Sequence, residues 1–150
     1  MTVSLFVLPA RAHMLLGEAA GRVLQRLADL FADLIGGLIT RSDAAAILAR
    51  NDAVRVAVSA LENVSDEAAR ERRNYLSEDS DPEPVTRTLR RVRHDLVLIG
   101  RVAAEPLPEA ARTSLKEPLS ALSQAGTQFM RGTGEWNYFM RLGPSRRSDG

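Results

Sequence analysis

Leu16 to Leu38 reads LGEAAGRVLQRLADLFADLIGGL, and Leu16, Ala20, Val23, Leu27, Leu30, Leu34 and Leu38 step through it at intervals of four and three. That spacing returns to one face of an α-helix at every step, whereas a half-buried strand would alternate apolar and polar residues. No proline interrupts the run after Pro9, so a first helix is expected from Ala10 to Ile39, about 45 Å long at 1.5 Å per residue. Gly36-Gly37 loosens its end, and Ser42 or Asp43 can cap the next start by accepting hydrogen bonds from free amides.

Three further seams follow. A second helix turns Ile47, Val54, Val58, Leu61, Ala68 and Tyr75 inward and the charged run Ala69 to Arg73 outward; its second half is poor in large apolar groups and is expected to fray. The acidic run Ser77 to Pro84 holds two prolines, so it ends that helix and starts a third, with Ser80 or Asp81 as cap. The third helix carries Val85, Leu89, Val92, Leu96, Ile99 and Ala103 on one face and ends near Ala104, before the connector Glu105-Pro106-Leu107-Pro108. A fourth has Leu115, Leu119, Leu122, Gly126 and Phe129 as its seam, Pro118 to kink it and Gly132-Thr133-Gly134 as its stop. The expected fold is all-α, an antiparallel up-down-up-down four-helix bundle of long helices, each burying its seam against two neighbours. Residues 10–131 form the bundle, between an apolar segment at 1–9 and a tail at 132–150.

Composition removes several classes of function. A chain of 150 residues supports one domain with a real core, and a net charge of +1 gives no strong prior for a nucleic-acid binder, although every basic residue but Lys116 is arginine. There is no cysteine, and His13 and His94 are the only histidines, so disulfides and thiolate or histidine-rich metal sites are not expected. Glu-x-x-His, His-Glu-x-x-His and the phosphate-binding glycine loop with lysine are all missing. Neither catalysis, a cofactor nor a metal is therefore expected. The apolar run Val3 to Leu8 is far shorter than the roughly 20 residues of a membrane-spanning helix, and it lacks the basic start of a secretory signal. Two readings stay open: an apolar segment packed on the domain, or the last turns of a membrane helix with Arg11, Arg22 and Arg26 as its cytoplasmic flank.

The third helix writes two surfaces. Arg87, Arg90, Arg91 and His94 share the polar face and could meet an anion or lipid headgroups; a solvated face with Arg91 and Asp95 as a local ion pair is the plainer alternative. No aromatic stacking platform or helix-turn-helix spacing accompanies them, so nucleic acid is not an expected partner. Farther on, Leu96 to Ile99 is apolar around a whole turn. Either neighbouring helices wrap it, or Val97 and Leu98 contact another copy or domain, which makes a homo-oligomer a candidate assembly. Trp136, Tyr138, Phe139 and Arg141 would return to the end of the bundle where the first helix begins, either at membrane headgroups or as an aromatic cap.

Three segments in order, LFVLPARAH (Leu5 to His13), RTLRRVRHDLVLIGR (Arg87 to Arg101) and PLPEA (Pro106 to Ala110), with a long alanine- and leucine-rich helix after the first, resemble the helical region of the FUSC family, the fusaric acid resistance or aromatic acid exporter-like membrane proteins. The resemblance runs from about Leu5 to Phe129. It implies a helical module on the cytoplasmic face of a bacterial inner-membrane exporter of aromatic acids or similar compounds, with the membrane part of the transporter as partner and anionic lipid as a further candidate. This stretch would have an assembly or regulatory role and no translocation path of its own. The alternative is a free-standing helical interaction or sensor protein that binds an acidic partner or anionic lipid.

Overall fold

The computed structural model describes residues 8–40, 43–75 and 83–139, with side chains for 14–40, 43–73 and 83–134. Four helices account for almost all of them: α1 (Leu8–Ile39), α2 (Ala44–Tyr75), α3 (Glu83–Val102) and α4 (Glu109–Phe139). The all-α bundle is thus as expected, and no strand occurs among the described residues. Asp43 is the cap of α2: its Oδ1 accepts a hydrogen bond from the Ala45 amide at 2.9 Å, and its carbonyl accepts from Ile47 at 3.0 Å. Helix α2 runs unbroken to Tyr75. Gly132 and Gly134 likewise do not stop α4, which continues past both and past the expected domain end at 131. Ser42, Ser80, Asp81, Arg141 and the segment 1–7 lie outside the described residues.

The core is built around α1. Val23, Leu27, Leu30 and Leu34 are sealed from solvent together with Val54 and Leu61 of α2, and Val58, Leu89 and Leu96 close the same cluster. Gly100 lets α3 come close, since a Cβ there would sit 3.3 Å from Leu34 Cδ2. Ala19, Ala28 and Ile35 are also buried, so the apolar surface of α1 extends well beyond its sequence seam and can serve more than two neighbours. Indeed α1 touches α2, α3 and α4, whereas among the described helices α4 touches α1 alone.

That arrangement corrects the expectation that each helix buries its seam against two neighbours. No described side chain of α4 is buried, and Leu115, Leu122 and Phe129 of its expected seam are exposed. On α3, Val85 and Ile99 are exposed as well, while Leu89 and Leu96 are buried, as is Ala103 just after the helix. Small residues explain how α4 sits. Gly134 meets Gly21, where a Cβ on either would be 3.6–3.7 Å from the other's carbonyl oxygen, and a Cβ on Gly126 would overlap the Phe31 ring. Close approach of two helix backbones needs small side chains at the crossing. These contacts, with the Leu107 amide donating to the Leu38 carbonyl at 3.2 Å, also show α4 running back along α1. Gly126, Gly134 and Met130 of α4 therefore rest on α1, and the large apolar residues lie round the side.

Candidate interaction surface

The basic face of α3 is largely answered from within the chain. Arg90 donates from Nε and from a terminal nitrogen to Glu62 Oε1 of α2, at 2.9 and 2.7 Å, and Arg87 lies 3.5 Å from Glu83 one turn earlier. Arg91 and His94 are exposed, and the expected Arg91–Asp95 pair does not form among the described residues. Arg93, which the helical pattern sets between the faces, turns partly inward and its buried Nε has no hydrogen-bond partner. The structure thus keeps two of the four expected anion contacts, Arg87 and Arg90, in ion pairs and leaves Arg91 and His94 facing solvent. Glu62 is invisible to a reading of α3 alone, because it lies 28 residues away and is brought in by packing.

A second charged cluster ties three helices together. Arg131 of α4 donates to Asp29 Oδ1 at 2.9 Å, and Arg50 of α2 donates from Nε to Asp33 Oδ2 at 2.9 Å and lies 3.7 Å from Asp29. All four side chains are partly exposed. Such pairs hold register more than they add stability. Beside the cluster an open groove of about 440 Å3 runs between α1 and α4, lined by Ile35, Ile39, Ser123, Thr127 and Arg131 among others. No group of three or more potential metal ligands occurs among the described residues.

The apolar surface is the larger feature. Leu98, one of the two expected protein contacts, is 44% exposed, and Val97 is partly buried. Val102 beyond it is 75% exposed. On α4, Leu115, Leu122 and Phe129 are 42%, 51% and 74% exposed. They recur every seven residues, and Pro118, Ala125 and Gly132, also exposed, recur every seven residues three positions later. This is an a/d stripe of period 3.5, the seam of a helix that pairs with another helix. Leu119 and Gly126 belong to the neighbouring row, which faces α1. Merging the two rows into one seam hid the second. A further signal was available in the sequence: Pro118 to Met130 contains no charged residue, although most of it is exposed.

Of the expected membrane-interface residues, Trp136, Tyr138 and Phe139 lie in the last turns of α4 without described side chains, and Arg141 lies beyond it. Among the described residues no helix is long and apolar enough to cross a membrane. No family model matches the chain, and neither a curated protein nor a solved structure is significantly similar to it.

Proposed function

We propose that this chain is the extramembrane helical module of a FUSC-like inner-membrane exporter of aromatic acids or similar compounds, joined to the membrane part near Leu5 to His13 and placed at the cytoplasmic face. Its work in this reading is assembly or regulation, and it is not an enzyme. The observation that supports it best is the apolar surface exposed among the described residues, Leu98 and Val102 on α3 and the stripe of α4, on a domain whose core gathers around α1. A domain that keeps so much apolar surface in water is suited to contact with other protein. The ordered resemblance of three segments supplies the parent, and Val97 with Leu98 is the patch assigned to contact with it.

Detection of the native gene product with an antibody against α4 tests the reading. A polypeptide larger than 16.4 kDa in the inner-membrane fraction, with loss of the gene sensitising cells to aromatic carboxylic acids, is expected. A 16.4 kDa product confined to the soluble fraction would sink it and favour the free-standing interaction protein. In that rival reading Arg91 and His94, both exposed and unpaired among the described residues, would meet an acidic partner or anionic lipid.

A further inference from the structure

We infer that α4 is a homodimerisation helix that pairs antiparallel with α4 of a second copy through Leu115, Pro118, Leu122, Ala125, Phe129 and Gly132. The inference goes beyond the transporter reading and does not depend on it. Three observations carry it. First, the stripe is exposed and strictly heptad, with large residues at one position and small ones at the other. Second, the order of sizes is self-complementary. When the helix is reversed against itself about a point between Ser123 and Gln124, Leu115 meets Gly132, Pro118 meets Phe129 and Leu122 meets Ala125, so every layer joins one large and one small residue. Reversal places each a position opposite a d position, and a two-fold axis then makes the same patch serve both copies. Third, no charge stands on the stripe or its flanks from Pro118 to Met130, so nothing repels a second copy.

Competing arrangements fit less well. A parallel pair would stack Leu115, Leu122 and Phe129 on themselves and leave layers of proline, alanine and glycine half empty. A lipid surface would call for lysines or arginines flanking the apolar stripe, and Pro118 to Met130 has none. The pairing has a geometric consequence for any membrane-rooted parent. Two copies anchored in one membrane share a two-fold along its normal, and an antiparallel α4 pair, with the bundle around it, then runs parallel to the membrane plane rather than end-on.

The chain has no cysteine, which permits a direct test on the 150-residue protein. Sedimentation of the wild type is expected to give twice 16.4 kDa. Leu122→Glu and Phe129→Glu are expected to give monomers with unchanged helical circular dichroism, and Leu48→Glu, at an exposed site on α2, a dimer. Residues 115 and 132 are about 25 Å apart along the helix. Oxidation should therefore link the copies covalently in the double variant Leu115→Cys with Gly132→Cys, and should not link them in Leu115→Cys alone. A monomeric wild type at tens of micromolar overturns the proposal, whether or not the chain then floats with vesicles. Equal cross-linking of the single and double variants overturns the antiparallel register. Because these readouts use the isolated chain, they stand apart from the cell fractionation that tests the transporter reading.

Discussion

Helices α1 and α4 are nearly equal in length, 32 and 31 residues, and both carry leucines at helical spacing, yet they end in opposite environments. In α1 the apolar residues spread round most of the circumference, and three helices gather on it until Val23, Leu27, Leu30 and Leu34 are sealed off. In α4 the apolar residues fall in two rows. Gly126, Gly134 and Met130 rest on α1, and Leu115, Leu122 and Phe129 face outward. A leucine seam therefore reports that a helix has a partner, and leaves open whether the partner belongs to the same chain.

This contrast is open to measurement at four sites. The largest effect is expected in α1, where Leu27→Ala empties a fully enclosed site and should lower stability by about 2–5 kcal/mol in urea unfolding. A loss under about 1 kcal/mol would mean that α1 is not the organising helix. Next comes the crossing of the two helices. Gly126→Val drives a branched side chain into Phe31 and should cost about 1–3 kcal/mol, with partial recovery in the double variant that also carries Phe31→Ala. Additive losses in the double variant would show that the two residues do not meet. Arg131→Ala removes the bond to Asp29, and because both side chains are partly exposed it should cost about 0.2–1 kcal/mol, less as salt is added. The smallest change is expected on the outer row of α4: Leu122→Ala should alter the stability of the monomer by no more than about 0.5 kcal/mol. This must be measured at dilutions where association contributes nothing, since binding of a second copy would add apparent stability. A loss of several kcal/mol there would place Leu122 in the core of the monomer after all.

Much of the fold was legible because local rules suffice for it. The four helices follow from apolar spacing, the cap at Asp43 from its side-chain oxygen, and the breaks before α3 and α4 from prolines in the connecting sequence. Leu27, Leu34, Val54 and Leu61 are core residues as their spacing implies. Less of the surface was legible. Arg87 and Arg90 read either as open anion contacts or as part of a solvated face with local ion pairs, and packing supplied Glu62 to the second of them. The stop expected at Gly132 and Gly134 fails because Gly134 makes the close approach to Gly21. Glycine's backbone cost in a helix is about 1 kcal/mol, which is small beside the packing of a whole helix.

The amino-acid pattern alone establishes that this protein is all helical and roughly where each helix falls, since hydrogen bonding within a helix and the spacing of apolar side chains are properties of short stretches; that α1 is the most buried helix came from packing. Which apolar row of α4 turns inward was settled by packing against α1. Two rows separated by a quarter-turn of the helix have similar claims on a core, and the choice depends on how closely the backbones approach, which Gly21, Gly126 and Gly134 permit on one side only. The row left outside is the one that calls for a partner.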